Sequence, residues 1–281
     1  MTPPNASSTA SSTASSTASS TVPSTSGQDS LQVTRDGHVV QLLIRRPPHN
    51  HLDPAFVGLL ADTLEQLDGD DECRAIVLAA EGKSFCAGAD FSGQQASSSV
   101  SRDPSPFYKQ AMRLFRTRKP IVAAVHGAAV GAGVGLSLVA DFRVTCPEAR
   151  FSVNFNRLGF HPGFGLSLTL PRLIGVQQAS LLLYTGRRID GETATRIGLA
   201  DELVPADQVL ARAHALATEI AISAPLAVES TRAALREGLA DAIYAANQKE
   251  LAIQLTQFPT EDFREGVAAM AERRPPNFRR R

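Results

Sequence analysis

The chain has 281 residues, and its 28 basic and 28 acidic side chains give a formal net charge of zero. Balanced charge argues against a nucleic-acid-binding protein, which normally carries a basic surface, and a hydrophobic content of 43% supports a substantial core. Three cysteines without a CxxC pair predict neither a metal site nor a disulfide framework, and they fit a reducing, cytoplasmic setting. No apolar run reaches the ~20 residues that span a bilayer.

Residues 1–30 form a low-complexity tract of serine, threonine and alanine, in which Ser-Ser-Thr-Ala recurs from Ser7. The tract lacks the apolar core of a secretory signal, and the first arginine is Arg35, so it does not resemble a transit peptide. Because it offers too little apolar surface to offset the entropy of ordering, we predict a disordered tail.

The elements that follow alternate between strands and helices. Residues 33–46 predict a strand or a hairpin, with Gly37 marking the turn. Asp53 and Pro54 then predict the cap and first turn of a helix. Further strands are predicted at 74–79, 121–125, 142–145 and 150–153, and further helices at 106–116 and 133–140. This alternation predicts an α/β fold with a parallel, mostly buried sheet.

The second half of the chain is mainly helical. Helical spacing predicts short helices at 164–174, 176–184 and 191–197 and a short strand at 200–204, followed by helices at 205–222, 225–235, 241–255 and 260–273. We therefore divide the chain into a disordered tail (1–30), a core (31–205) and a C-terminal helical region (206–281).

Two segments of the core carry the clearest functional signal. The first is Phe85-Cys86-Ala87-Gly88-Ala89-Asp90-Phe91, and the second runs from Lys119 through Gly127 to Gly135. Each reads as a buried strand that ends in a turn of small residues, where no side chain keeps a ligand oxygen away from the backbone N–H groups. Two such turns side by side could form an oxyanion hole with two amide donors.

These segments, together with blocks at 181–186, 194–204 and 262–275, resemble the enoyl-CoA hydratase/isomerase (crotonase) superfamily. The resemblance implies a spiral of β-β-α units followed by a C-terminal helical region that assembles a homotrimer or a dimer of trimers. It also implies a lyase or isomerase acting on an acyl-CoA thioester, with coenzyme A as part of the substrate and no separate cofactor or metal.

By the same resemblance, the amides of Ala87 and Ala132 would polarise the thioester carbonyl and stabilise the enolate formed from it. The positions implied to hold the CoA moiety are Ala87, Gly88, Ala89, Asp90 and Gly133. Arg45, Arg46 and Lys83 could meet its phosphates.

The chain departs from the family where a hydratase of this type carries its two glutamates. Gly135 and Phe155 stand at these positions, and neither can transfer a proton. Since positioned proton transfer is what the glutamates supply, we expect a chemistry other than glutamate-pair hydration.

His161 is the best substitute acid or base, because it lies on the loop after Phe155 and histidine titrates near neutrality. The alternative is a loop histidine that is hydrogen-bonded to the backbone. We expect a structural hydrogen bond for His126, while His49 and His51 could line the CoA entrance.

The arginine-rich end at residues 273–281 is either a solvated tail, which we favour, or a contact to a neighbouring subunit's CoA. For the whole protein, two hypotheses stay open: an acyl-CoA enzyme that works through a thioester enolate, and a catalytically silent acyl-CoA-binding or assembly subunit on the same fold.

Overall fold

The computed structural model describes Met1, residues 28–89 and residues 103–281. The predicted disorder of residues 1–30 lies mostly outside this range. The fold begins three residues earlier than expected, because Gln28–Ser30 form a 3-10 turn whose Ser30 carbonyl accepts the N–H of Arg45 at 2.8 Å.

Within the described residues, the main sheet has six strands in the order β1-β2-β3-β5-β7-β10. The hairpin formed by β1 and β2 is antiparallel, and the neighbouring pairs from β2 to β10 are parallel. All residues of β3 and β5 are buried, as a continuous run of small and branched apolar side chains predicts. The strands are β1 (Leu31–Asp36), β2 (Val39–Ile44), β3 (Ala75–Ala80), β5 (Ile121–Val125), β7 (Phe142–Thr145) and β10 (Glu202–Leu203).

A second sheet of short strands runs beside the first in the order β4-β6-β8-β9. Three of its strands directly follow β3, β5 and β7, and each is followed by a helix, which confirms the predicted spiral of β-β-α units. The strands are β4 (Ser84–Cys86), β6 (Ala128–Val130), β8 (Arg150–Ser152) and β9 (Arg188–Asp190).

The helices of the described residues follow the predicted order. Asp53 caps the first helix, where its Oδ1 accepts the N–H of Phe56 at 2.8 Å. The two helices predicted on either side of Gly175 form one element with a non-helical break at that glycine. The helices are α1 (Pro54–Asp68), α2 (Ser105–Leu114), α3 (Ala132–Ser137), α4 (Leu166–Thr185), α5 (Gly191–Arg196), α6 (Val209–Ala221), α7 (Pro225–Leu235), α8 (Leu239–Gln257) and α9 (Glu261–Ala271).

The C-terminal helices pack on the core of their own chain. Helix α6 lies against β3, β5 and β7, α8 contacts α2 and α4, and α9 contacts a 3-10 turn at Phe155–Leu158. In the ranges 28–89 and 103–281, no helix is long and apolar enough to cross a membrane. The assembly role predicted for residues 206–281 stays a prediction.

The arginine-rich end is exposed to solvent, as we favoured, but it is also hydrogen-bonded to helix α9. The backbone N–H groups of Arg279 and Arg280 donate to the Asp262 carboxylate at 2.6 and 2.8 Å, and Arg274 forms a bidentate pair with Glu265. Hydrogen bonds from Arg274 lower the pKa of the Glu265 carboxyl to about 2. The sequence shows the arginines as one charge run, but the acids that hold them lie on the preceding helix α9.

Asp141 joins helix α7 to the main sheet. Its carboxylate accepts the N–H of Ile121 at 2.9 Å, the Nε of Arg232 at 2.9 Å and Nη1 of Arg236 at 3.1 Å. All three side chains are largely buried, with exposed fractions of 16%, 10% and 18% for Asp141, Arg232 and Arg236. Removing the carboxylate would leave two buried guanidinium groups without their counter-charge.

We therefore expect Asp141→Asn to lower the free energy of unfolding by about 3 kcal/mol, measured by equilibrium urea denaturation. The matched control is Asp62→Asn, since Asp62 pairs with Arg113 at an exposed site. It should cost less than about 1 kcal/mol. Equal losses in the two variants would contradict a structural role for the Asp141 network.

Candidate active site

The two small-residue turns are in direct backbone contact. A Cβ atom built on Gly133 would lie 2.0 Å from the carbonyl oxygen of Cys86, and one built on Gly88 would lie 2.8 Å from that of Val130. The same Gly88 position is 3.8 Å from the amide nitrogen of Ala132. Since real side chains do not tolerate such contacts, glycine is required for this approach.

The Ala87 amide does not fit the role that the resemblance implies. Its N–H donates to the carbonyl oxygen of His49 at 3.0 Å, so it is not free to meet an acyl oxygen. The available amide lies two residues further on, at Ala89. Leu52 pairs with this residue and donates to the Gly88 carbonyl at 2.9 Å, and the Ala89 N–H has no acceptor among the described residues.

The second amide is at Ala132, the first residue of α3. Amides in the first turn of a helix have no acceptor within that helix. Gly131 precedes it with a φ of 55°, and within residues 28–89 and 103–281 the Ala132 N–H donates no hydrogen bond. The turns are therefore two neighbouring segments, and each contains at least one amide without an acceptor among the described residues.

The first glutamate position of the family is physically filled. A Cβ atom on Gly135 would lie 2.5 Å from Cδ1 of Phe164. Phe164 is fully buried, has a φ of 64°, and packs against the rings of Phe107 and Phe115 at centroid distances of 6.0 Å. A glutamate at position 135 would have no room, so glycine and the phenyl ring belong together.

The second glutamate position contributes an apolar wall. The Cζ atom of Phe155 lies 3.6 Å from where a Cβ atom of Gly131 would stand, so its ring borders the second turn. Phe155 packs edge-on against Phe160, which in turn contacts Phe258 and Phe263. Phenyl rings therefore fill the space at both carboxylate positions: the ring of Phe164 beside Gly135, and the ring of Phe155 itself. Neither ring can act as an acid or a base.

His161 is held by helix α8. Its N–H donates to Oε1 of Gln257 at 2.6 Å, and its carbonyl accepts Nε2 of Gln254 at 2.8 Å. Its Nδ1 lies 2.7 Å from the carbonyl oxygen of Pro162. These contacts match the alternative reading of a backbone-bonded loop histidine, and its role as an acid or base stays a prediction.

His51 lies closer to the turns than the sequence suggests. Its Nδ1 is 3.3 Å from the carbonyl oxygen of Gly88, and its ring contacts that of His49 at a centroid distance of 5.7 Å. The sequence places His51 only in the turn after Pro48, as a residue that could line the CoA entrance. His126, by contrast, has Nε2 2.8 Å from the carbonyl of Gly82, which is a structural hydrogen bond of the kind we predicted.

The arginines predicted to meet CoA phosphates are already paired. Arg45 donates to Glu81 at 2.6 Å, and Arg46 pairs with Asp53 while its guanidinium lies 4.9 Å above the ring of Phe56. Lys83 is exposed. Asp90, which is also in the predicted CoA-binding set, lies outside the described residues.

Cys86 lies under the first turn and is fully buried. Burial raises the pKa of its thiol to about 12, so the sulfur is protonated at neutral pH. Because the thiolate is the nucleophilic form, this cysteine has a packing role, as we expected.

The sequence pattern of the enoyl-CoA hydratase/isomerase family matches residues 34–281. The chain belongs to the enoyl-CoA hydratase/isomerase family. A probable enoyl-CoA hydratase of Mycobacterium bovis is 32% identical over 254 residues, which are 90% of this chain and 99% of that protein. The crotonyl-CoA hydratase of Syntrophomonas wolfei is also 32% identical, over 89% of this chain and 98% of its own.

Solved structures agree with this assignment. A crystal structure of an enoyl-CoA hydratase/isomerase from Pseudoalteromonas atlantica superposes with a TM-score of 0.80 at 32% identity, covering 89% of this chain and all of that one. As a member of the enoyl-CoA hydratase/isomerase family, the protein keeps the crotonase fold, while phenyl rings occupy the two carboxylate positions.

We expect Gly133→Ala to lower the free energy of unfolding by at least about 2 kcal/mol, because the new methyl group would overlap the Cys86 carbonyl. The control is Gly58→Ala in α1, where the nearest atom, on Gln110, is 3.6 Å away. It should leave stability unchanged or raise it by up to about 1 kcal/mol. If Gly133→Ala is as stable as Gly58→Ala, the turns do not touch as described.

Proposed function

We propose that the protein is an acyl-CoA enzyme that binds the thioester carbonyl oxygen between the amides of Ala89 and Ala132. The observation that supports this most is the backbone contact of the two turns, which places these two unused amides on neighbouring segments. Relatives named as hydratases of CoA thioesters support the same substrate class. Coenzyme A would enter as part of the substrate, with no separate cofactor.

The two amides would act on the charge that develops when a thioester becomes an enolate. The negative oxygen is then held by two fixed donors in a buried setting, and where one such donor has been measured its removal costs ~2.7–4 kcal/mol. Backbone donors are fixed by the fold before substrate arrives, so they need no reorganisation during the reaction.

Proton transfer would depend on a group other than a glutamate pair. Gly135 and Phe155 leave histidine as the residue type that titrates near neutral pH in this part of the chain. His161 is the candidate from the sequence, and His51, next to the Gly88 carbonyl, is the candidate from the contacts. Double-bond migration and carbon–carbon cleavage both pass through an enolate and need no activated water from two carboxylates.

A second candidate function is a catalytically silent acyl-CoA-binding or assembly subunit. The observation that favours it is the pair of buried rings, Phe164 and Phe155, at the carboxylate positions. For either function we also propose a homotrimer or a dimer of trimers in the cytoplasm. Three buried free thiols are compatible with that reducing setting.

Ala132→Pro tests the proposal, because proline removes one N–H at the first position of a helix, where it is tolerated. We expect kcat/KM for acyl-CoA thioesters to fall by roughly 100-fold or more, since one oxyanion donor is lost. Ala132→Gly is the matched control, as it keeps the amide and should retain the wild-type rate. Turnover is followed by chromatography and binding by calorimetry.

The outcomes separate the two candidates. Turnover by wild type that is lost in Ala132→Pro and kept in Ala132→Gly supports the enzyme. Acyl-CoA binding that weakens in Ala132→Pro, without turnover in any variant, supports the silent subunit. A folded Ala132→Pro variant that binds and reacts like Ala132→Gly contradicts both.

A further inference from the structure

A cavity of about 410 Å³ lies between α7, the start of α8 and the segment at 115–118. This segment precedes β5, and Asp141, which binds the lining residues Arg232 and Arg236, precedes β7, so the cavity sits at the amino-terminal ends of these strands. The glycine turns follow β4 and β6 instead. The cavity is therefore separate from the candidate active site, and its volume is in the usual range for small-molecule sites, about 300–1,000 Å³.

The cavity wall carries an excess of positive charge. Among the described residues, four arginines and one carboxylate, Glu229, line it, and one of these arginines, Arg116, pairs with Asp241 at 2.8 Å. The Glu229 carboxylate is already neutralised, because it accepts Nζ of Lys119 at 2.7 Å and Nη2 of Arg118 at 2.9 Å. The lining arginines are Arg116, Arg118, Arg232 and Arg236.

One hydrogen-bond donor of the Arg232 guanidinium group, Nη2, is unpaired among the described residues. Its Nε binds Asp141 and its Nη1 binds the carbonyl of Thr117, but its buried Nη2 has no hydrogen-bond partner within the described part of the chain. Its side chain is only 10% exposed, so this unused donor is costly unless something accepts from it.

Arg236 adds a second buried cation to the same wall. It uses Nη1 on Asp141, so one carboxylate serves two guanidinium groups. Burial, and then the charge of Arg232, lower the pKa of the Arg236 guanidinium, as crowding of uncompensated positive charge does. A further anion would relieve this crowding.

The rest of the wall is mixed, with the apolar residues Phe115, Ala240 and the largely exposed Leu226 beside the hydroxyl residues Thr117 and Ser230. We propose that this cavity binds a small molecule with an oxyanion group, a phosphate or a carboxylate, held by Arg232 and Arg236. Guanidinium groups match the paired oxygens of such groups. Because the cavity is larger than the anion alone, the rest of the ligand is an apolar portion that packs against Leu226 and Phe115.

The test uses the full-length protein and calorimetric titration with sodium phosphate or sodium acetate, with sodium chloride at equal ionic strength as the blank. We expect saturable binding of at least one oxyanion, and the tighter of the two identifies the group. Arg236→Gln should weaken that binding about tenfold or more, as loss of a charged hydrogen bond does.

Two further variants keep the result interpretable. Ala233→Glu places a carboxylate at the cavity while keeping every arginine, so it should weaken binding even if Arg236→Gln folds poorly. Arg187→Gln makes the same charge change at an exposed site on another element and should leave binding unchanged. Acyl-CoA affinity should be unaffected in Ala233→Glu, which separates this site from the candidate active site.

Three results would overturn the proposal. The first is the absence of saturable binding of either anion. The second is equal weakening in Arg187→Gln and in the two cavity variants. The third is the absence of anion binding in wild type together with dissociation of an oligomer by Ala233→Glu in sedimentation velocity, since the cavity would then be a contact between copies of the chain.

Discussion

The close approach of two backbone segments, at Cys86 and Gly133, is the constraint on which the site depends. Nothing larger than a hydrogen atom fits between them, because a Cβ atom on Gly133 would stand 2.0 Å from the Cys86 oxygen. Each segment continues a short strand of the second sheet, and that sheet follows the main sheet strand by strand. The spiral of β-β-α units thereby brings two bends from distant parts of the chain to one point.

The C-terminal helices determine what surrounds that point. The carboxylate of Glu250 in α8 accepts the backbone N–H groups of Gly165 and Ser167 at 2.7 and 2.8 Å. These contacts fix the loop that carries Phe164 against Gly135. The apolar character of the carboxylate positions is thus built into the packing of α8. Restoring a glutamate would require Phe164 to leave, so a single substitution at Gly135 would not recreate the hydratase arrangement.

Local patterns in the sequence predicted the Asp53 cap, the buried strand at 121–125 and the helix at 225–235, and they allowed a strand or a hairpin at 33–46. Short strands such as β6 and β9 have too few residues to show a period of two. Whether an amide such as that of Ala87 is free depends on pairing with His49, 38 positions earlier in the chain. The contact between Phe164 and Gly135 is equally non-local. The sequence therefore shows that glycine stands at the first glutamate position, but it does not show that the ring of Phe164 fills the space beside it.

Infrared difference spectroscopy of an acyl-CoA labelled with ¹³C at the thioester carbonyl measures the central claim most directly. Two amide donors at the carbonyl oxygen should shift its stretching band to lower frequency when the ligand binds to saturation, and Ala132→Pro should reduce that shift. A bound ligand whose carbonyl band stays at its solution frequency would contradict an oxyanion hole at these turns.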